Sequence, residues 1–444
     1  MIKRSNKPFF GGRPAILVLL LLMIAVVPVA AATTWTVGAN GCDFITLMDA
    51  INSASVTDGD TISVNSGTYA FTGLTKSLTL TGMSADLVTL DMGNAAVAIT
   101  GRGTIFERFR FTNGLMIFPT TSPGATNMII RDCIFENMKD PGTAAGAVTL
   151  YGDHNTITGC MFKNNAVYNL VYVAGNNHLI EKNNFTDTTS SAPLKGVIRL
   201  ATGSGHVIRY NAFADNAMPC ILLQRSMDAG VYLNNFVVPD GYVPIKIQGT
   251  ITPAAFSWNT PLAVPYTYHG ASYTKILGNY YNTYTGADTD RDGIGDTPCQ
   301  LATNEVDTAP LMAPAGTYFA LIANFSATPL TGKAPLTIQF TDASTSAEKL
   351  TYAWDFENDG VTDSTEQSPA FTYANPGTYD VNLTVTSSGG SNSEVKISYI
   401  TVTMADITAK KSTAAPEFPT MAFPAAFIAG MLGVVLFIRR TKEN

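Results

Sequence analysis

Charged residues are scarce in this sequence: 14% of the 444 residues are Asp, Glu, Lys or Arg, whereas 46% are hydrophobic. This balance excludes an intrinsically disordered chain and predicts packed domains. Long stretches with helical periodicity are also missing, and the 37 glycines indicate a turn-rich, mainly β protein. The net charge is −7, and the middle of the chain is more acidic still because several basic residues lie at its ends. Such an acidic surface argues against nucleic acid as a partner.

Residues that bind metals or act as nucleophiles are also few. No Cys and His share the spacing of a metal site, and no nucleophile motif is present, so the sequence predicts no catalytic residue. His178 and His206 recur at one position of a repeat, where a structural role is expected. Among the five cysteines, Cys133 and Cys160 share a repeat position, either as stacked core thiols or as one disulfide between coils.

The N-terminus has the composition of a secretory signal. Basic residues precede an apolar run at 15–29, and three alanines follow at 30–32. This order predicts a signal peptide over residues 1–32 with cleavage near Ala32. The alternative is a retained N-terminal anchor, because the apolar run is long for a signal peptide.

The C-terminus predicts a membrane anchor. Residues 421–438 are uncharged, and the tail at 439–444 is basic. Eighteen residues at ~1.5 Å each nearly span the apolar core of a bilayer. Because basic residues stay on the cytoplasmic side, everything upstream is expected outside the cell. Residues 405–420 are then a stalk between the last domain and this transmembrane helix.

A short motif stands in this stalk, at Pro416, Glu417 and Phe418. Together with the apolar helix and the basic tail, it resembles the PEF-CTERM sorting signal of archaeal surface proteins. The resemblance implies that an archaeosortase cuts near the motif and transfers the protein to a new anchor. An ordinary transmembrane anchor with an incidental P-E-F sequence is the alternative.

A repeat in the middle of the chain predicts the fold. An aromatic residue recurs at spacings of 27, 23, 28, 23 and 45, and the last spacing is close to two turns of the repeat; the residues are Phe135, Phe162, Phe185, Phe213, Phe236 and Tyr281. A second ladder places an isoleucine two residues after Asn127, Asn155, His178 and His206, at Ile129, Ile157, Ile180 and Ile208. A coil of this length returns each side chain about 4.8 Å above its predecessor. We therefore predict a right-handed parallel β-helix of about ten or eleven coils over residues 33–312.

Both ends of this region resemble known families. Cys42–Asn52 and Gly59–Tyr69 are similar to the opening of pectate-lyase-like right-handed β-helices, with a short helix near Thr46–Ser53 that caps the first coil. Asn279–Gly286 and Asp307–Met312 resemble NosD-type proteins. Both resemblances imply a fold rather than an activity.

One loop has the ligand pattern of a cation site. It carries Asp288, Asp290, Asp292 and Asp296 at positions 1, 3, 5 and 9, with Gly293 at position 6 and the Ile294 carbonyl at position 7. Convergent oxygens from a tight loop are what a hard cation requires, so the loop predicts calcium. Position 12 is Cys299 rather than Glu, so this is at most an EF-hand-like loop, and a solvated acidic turn is the alternative.

The repeat changes after residue 312. Short alternating segments over 320–404, separated from the helix by a linker at 313–319, predict an all-β sandwich. Trp354-Asp-Phe, Asp359-Gly360 and Pro376-Gly-Thr-Tyr379 closely resemble a PKD repeat. This resemblance implies an immunoglobulin-like fold with Trp354 in its core, acting as a spacer or an adhesive module; we favour the spacer.

Three functions remain open. The favoured one is a structural or adhesive cell-surface protein that presents a β-helix to surface glycans or to other surface proteins. The second is a carbohydrate-active enzyme, a lyase or hydrolase, whose groove is lined by charged residues just before the core aromatics: Arg131, Asp132, Glu181, Lys182 and Arg209. The third, implied only by resemblance, is a NosD-like factor in copper-enzyme maturation. We favour the first because such charged residues more often form a solvated face.

Overall fold

A computed structural model describes residues 32–119, 125–140, 146–189, 195–224, 228–248, 256–302 and 304–404. These ranges form an all-β protein with a parallel β-solenoid followed by a β-sandwich. Among them, no helix is long and apolar enough to cross a membrane. Nearly all of the predicted signal peptide, the stalk with Pro416, Glu417 and Phe418, and the predicted helix at 421–438 lie outside the described residues.

The first face of the solenoid is a ten-stranded parallel sheet. One strand per coil gives ten coils, within the predicted number. Its strands, in order, are Thr34–Val37, Thr61–Val64, Thr79–Gly82, Ile105–Glu107, Ile129–Arg131, Thr156–Thr158, Leu179–Glu181, His206–Arg209, Ala229–Tyr232 and Phe256–Ser257. The helix Leu47–Asn52 lies beside the first strand, and the Thr46 hydroxyl caps it by accepting the Asp49 N–H at 3.1 Å.

The other two faces share one fourteen-stranded sheet because two long strands, Val88–Ala98 and Arg110–Phe118, bend across a corner. Gly67–Ala70 pairs with the first of them. The second face continues as Ile134–Glu136, Met161–Lys163, Asn184–Thr186, Ala212–Ala214, Asn235–Val237 and Tyr280–Tyr281. The third face continues as Gly146–Leu150, Asn169–Val173, Gly196–Leu200, Ile221–Leu223 and Ile245–Ile247.

The predicted aromatic stack fills the interior. Consecutive rings from Phe111 to Tyr281 stack with centroids 4.6 to 5.3 Å apart, at one ring per coil. Phe236 stacks directly on Tyr281, and their strands pair. The spacing of 45 residues is therefore one enlarged coil, and its interpretation as nearly two turns is wrong. The extra length includes an antiparallel hairpin of Val264–Tyr268 and Ala271–Lys275.

The isoleucine ladder differs from the prediction by one residue. Ile157, Ile180 and Ile208 are in register with Ile130, which is fully buried, whereas Ile129 is only half-buried. Asn127 is in register with His154 rather than with Asn155, and both residues have a left-handed backbone with a φ of 57°, so Met128 occupies the position equivalent to Asn155. The Met128 N–H donates to the Asn155 side chain at 2.9 Å, which marks this register.

A buried asparagine ladder runs beside the aromatic stack. The side-chain oxygen of each asparagine accepts a backbone N–H from the previous coil at 2.8 to 3.1 Å; the ladder consists of Asn183, Asn211, Asn234 and Asn279. Their side-chain amides donate to backbone carbonyls of earlier strands. The ladder thus satisfies buried backbone groups at a turn that the strands leave unpaired. Cys133 and Cys160 lie at the start of this column as free thiols, like the other three cysteines.

The sandwich consists of two sheets packed around Trp354, which is fully buried. One sheet contains Phe325–Thr328, Leu336–Asp342 and Ala370–Tyr373, and the other contains Thr331–Lys333, Gly390–Thr403, Gly377–Ser387 and Thr351–Asp355. Before it, the hairpin Cys299–Ala302 with Glu305–Asp307 and the 3₁₀ turn Ala315–Tyr318 complete the connection from the solenoid.

The sandwich lies along one corner of the solenoid. Lys182 Nζ donates to the Ser346 carbonyl at 3.0 Å, and Lys349 Nζ donates to the Gly159 carbonyl. The Glu348 carboxylate accepts the Asn235 side-chain amide at 2.8 Å. The expectation of a spacer that holds the solenoid at a distance is therefore not what these contacts indicate, because the sandwich packs against its side.

The residues at this docking corner differ from those at the next corner. Both columns have a left-handed backbone, with φ between 51° and 63°. The column after the second face contains only the residue types that this conformation favours: Asn113, Asn137, Asn164, Asp187 and Asp215. The column against the sandwich, which we call the docking corner, contains Arg108, Asp132, Gly159, Lys182, Tyr210 and Leu233. Contacts with the sandwich and its connection explain these less favoured residues, as when Tyr210 packs against Phe319 with ring centroids 5.9 Å apart.

Candidate functional sites

The predicted cation loop has three convergent carboxylates. Oxygens of Asp288, Asp290 and Asp292 lie within 4.8 Å of one another. Asp288 organises the turn by accepting the backbone N–H groups of Asp292 at 3.1 Å and Gly293 at 3.0 Å. Gly293 has a φ of 88°, which a residue with a side chain rarely adopts. Asp296 lies outside the convergent group and accepts the Thr289 N–H and hydroxyl instead.

The ammonium group of Lys275 already lies against this loop. It is 3.4 Å from a carboxylate oxygen of Asp290 and also contacts Asp292, which is buried. The hydrogen bond to Asp292 raises the pKa of Lys275, so the side chain stays charged. A bound ion would therefore have to displace this ammonium group.

The sandwich contains a second loop with the same construction, which the sequence analysis missed. Asp355 accepts the backbone N–H groups of Asp359 and Gly360, which lie four and five residues later. Asp288 makes the same two bonds with Asp292 and Gly293 in the first loop. This loop also has a convergent group of carboxylates, from Asp355, Glu357 and Asp363. Burial, and after it the neighbouring charge of Asp363, raises the pKa of Glu357. The signal was present in the sequence. In both loops, positions 1, 5, 6 and 9 are Asp, Asp, Gly and Asp, and position 3 is Asp in the first loop and Glu in the second.

The buried histidines form a pair. His178 and His206 stack in parallel with centroids 5.3 Å apart. His178 Nδ1 accepts the Asn155 N–H at 3.2 Å, just as the Asn155 side chain accepts the Met128 N–H one coil earlier. Burial, followed by the neighbouring His206, lowers the pKa of His178 to about 3, and burial also lowers the pKa of His206. Both rings are therefore neutral near pH 7, and the structural role expected for them agrees with these contacts.

Three of the five charged residues proposed for an outer groove form ion pairs between coils, and the other two lie at the docking corner. On the first face, Arg131 bonds to Glu107, and Arg209 bonds to Glu181 at 2.8 Å; both pairs join adjacent coils. Asp132 and Lys182 occupy the docking corner beneath the sandwich. The face that these residues form is thus neutralised along the solenoid axis and partly covered.

These features define a parallel β-solenoid with a docked immunoglobulin-like sandwich. The model of one family, described as periplasmic copper-binding protein (NosD), matches residues 52–286, which is more than half of the chain, and the chain belongs to that family. A PKD domain model matches residues 322–402. Both are domains of exported proteins, and no match was found among curated proteins.

Several solved structures are similar to this chain in fold. An alginate lyase from Paenibacillus sp. str. FPU-7 is 14% identical with a TM-score of 0.35, and the alignment covers 51% of this chain and 95% of that one. The pectin methylesterase PemA from Erwinia chrysanthemi is 10% identical, with a TM-score of 0.31 and coverage of 59% and 92%. The pectate lyase Pel9A is 13% identical, with a TM-score of 0.32 and coverage of 51% and 78%. At this identity the likeness concerns the fold alone.

The family description names copper, and the ligands that copper prefers are imidazole, thiolate and thioether. Within the described ranges, the convergent groups of three or more His, Cys, Asp and Glu are the two carboxylate loops. Their hard oxygens suit calcium or magnesium rather than copper. His178 and His206 each use one ring nitrogen in a hydrogen bond and leave the other, His178 Nε2 or His206 Nδ1, without a partner among the described residues. These two imidazoles do not belong to a convergent group of three His, Cys or acidic residues in the described ranges. The described residues do not fit a resident copper ion.

Proposed function

We propose that the protein is an exported cell-surface scaffold that displays a rigid solenoid, with the sandwich docked along its side, to surface glycans or other surface proteins. The observation that carries this proposal is the pairing of Arg131 with Glu107 and of Arg209 with Glu181 between coils. Charges that neutralise one another along the axis stabilise a repeat array, whereas a catalytic groove requires groups left free to meet a substrate.

The test is a screen of the full-length protein against a panel of acidic and neutral polysaccharides, which measures binding and chain cleavage separately. Binding without cleavage, or no effect on any glycan, agrees with a scaffold. Release of unsaturated or shortened oligosaccharides would instead identify a carbohydrate-active enzyme, which is the alternative function.

The proposal includes the C-terminal anchor. The P-E-F motif at 416–418, the apolar run at 421–438 and the basic tail support processing by an archaeosortase-type enzyme. Mass spectrometry of protein extracted from membranes tests this step. A mature protein that lacks the residues after the motif agrees with sorting, and an intact C-terminal peptide means a plain transmembrane anchor.

The proposal also includes calcium in the loop of Asp288, Asp290 and Asp292. The convergence of three carboxylates at a glycine turn supports it. Lys275 supplies the charge that the loop needs without an ion, so calcium and the Lys275 ammonium group compete for the same carboxylates. A calcium-bound loop would stiffen the segment between the last coils and the sandwich.

A further inference from the structure

A cleft lies between the solenoid and the sandwich. It is bounded by Arg108 and Asp132 of the docking corner and by Lys349, Tyr352 and Glu366 of the sandwich, and its volume is about 390 Å³. Contacts beside the cleft hold the two walls together, because Lys349 Nζ bonds to the Gly159 carbonyl and Lys182 Nζ bonds to the Ser346 carbonyl at 3.0 Å. A cavity of this size between two domains is typical of a small-molecule site.

The cleft offers one buried hydrogen-bond donor that lacks an acceptor. Arg108 Nε is buried and has no hydrogen-bond partner, and the other end of its guanidinium group is 3.5 Å from Glu107. Glu107 itself is held by Arg131 and by the Thr81 hydroxyl. Because a buried N–H of a charged group is costly to leave unpaired, an anionic acceptor in the cleft would stabilise it. Lys349 and Lys163 add two more positive charges to the same walls, although Lys163 is 3.7 Å from Glu136. The acidic residues of the lining are Asp86, Asp132 and Glu366, so the positive charge is local to the end of the cleft at Arg108 and Lys349.

The cleft also offers an acceptor. The Asp132 carboxylate receives no hydrogen bond from the described residues, although the charge of Lys349 acts on it. Burial raises the pKa of Asp132, and burial likewise raises the pKa of Glu366 across the cleft. Between these polar groups, Ile134, Met161 and Leu350 supply an apolar surface.

We propose that this cleft binds a small hydroxylated carboxylate, namely a uronic acid unit of a glycan. Its carboxylate group meets Arg108 and Lys349, a hydroxyl group donates to Asp132, and the C–H face of its ring packs on Met161 and Leu350. The choice of a glycan as the source rests on the proposed function, whereas the cleft and its charges do not.

The test measures the binding of D-glucuronate to the full-length protein by NMR or calorimetry. D-Glucose lacks the carboxylate and acetate lacks the ring, so both should bind at least tenfold more weakly than glucuronate. Arg108→Gln and Lys349→Gln should each weaken glucuronate binding about tenfold. Two matched variants should leave binding unchanged: Lys182→Gln, which removes a docking contact outside the cleft, and Arg102→Gln, which removes an exposed charge elsewhere.

Several results would overturn the proposal. Equal binding of acetate and glucuronate would reduce the site to an unspecific charge contact. An equal loss in Lys182→Gln and Lys349→Gln would mean that docking, and not the cleft, governs binding. Absence of glucuronate binding by a protein that melts cooperatively would also reject the cleft, and it would leave the scaffold function standing because polysaccharide binding and C-terminal processing are measured independently.

Discussion

The carboxylate of Asp307 accepts the backbone N–H of Asn279 at 2.8 Å, and it thereby ends the asparagine ladder with an acid. Its remaining contacts also come from donors: the side chains of Asn259, Asn279 and Tyr281 and the N–H of Ala309. Gly278 makes room for this carboxylate, because a Cβ there would lie 2.0 Å from Asp307 Oδ1. An asparagine at this position would turn an amide N–H₂, which is itself a donor, toward some of these donors. A carboxylate accepts at both oxygens, which is why an acid suits the end of the ladder.

Asp307→Asn should therefore destabilise the protein, by about 1–3 kcal/mol, because at least one buried donor loses its acceptor. Urea unfolding of the full-length protein measures the effect. Asp240→Asn makes the same chemical change at an exposed position and should be neutral within about 0.5 kcal/mol. Equal stability of the Asp307 variant and the wild type would show that the carboxylate is replaceable.

Phe185→Ala should cost about 3–5 kcal/mol, because it leaves a gap between Phe162 and Phe213 in a stack with no exposed ring. The same unfolding measurement gives this value. Phe185→Leu serves as the control, since it keeps most of the volume and should lose markedly less. A loss below about 1 kcal/mol for the alanine variant would contradict the packed interior.

Acid should destabilise the protein through the histidine pair. The folded pKa of His178 is about 3 and lies below its ordinary value of 6.5. Between these values the unfolded chain binds a proton that the folded chain does not, so stability falls as the pH drops below about 6.5. The slope contributed by one such group reaches about 1.4 kcal/mol per pH unit.

A His178→Asn, His206→Asn variant tests this, because asparagine fills the equivalent ladder position at Asn155 and does not titrate. Unfolding free energies at pH 7 and pH 4.5 should differ less in the variant than in the wild type. The buried acids, such as Asp307, titrate in both proteins and cancel in this comparison. Parallel pH profiles would show that the histidines do not carry the acid sensitivity.

Calcium should act more strongly once Lys275 is removed. Lys275→Gln leaves Asp290 and Asp292 without their ammonium partner, so the variant should melt lower than the wild type with a chelator present. Millimolar calcium should then raise its melting temperature more than that of the wild type. Asp290→Ala, Asp292→Ala should show the smallest calcium shift of the three, and equal shifts in all three proteins would leave this loop a solvated acidic turn.

Much of the solenoid follows from the sequence alone. The aromatic repeat predicts the stack from Phe135 to Tyr281, because every contact in it joins residues one coil apart and the period therefore identifies the neighbours. The short helix expected near Thr46–Ser53 is present at Leu47–Asn52. The buried asparagine ladder from Asn183 to Asn279, by contrast, is a finding of the structure. The period is less reliable within a coil. Asn127 aligns with His154 and not with Asn155, so the core position is Ile130 and not Ile129, and an inserted hairpin resembles an additional turn.

Only the tertiary structure decided how the parts meet. The sandwich reaches the solenoid through Lys182, Asn235 and Lys349, whose partners lie 164, 113 and 190 residues away along the chain. No local period encodes contacts of this range, because they depend on the shapes and charges of two finished surfaces. In the sequence, these contacts correspond to unusual residues at four of the six left-handed positions of the docking corner: Arg108, Lys182, Tyr210 and Leu233. Those side chains are explained by the surface packed against them and not by the backbone that carries them.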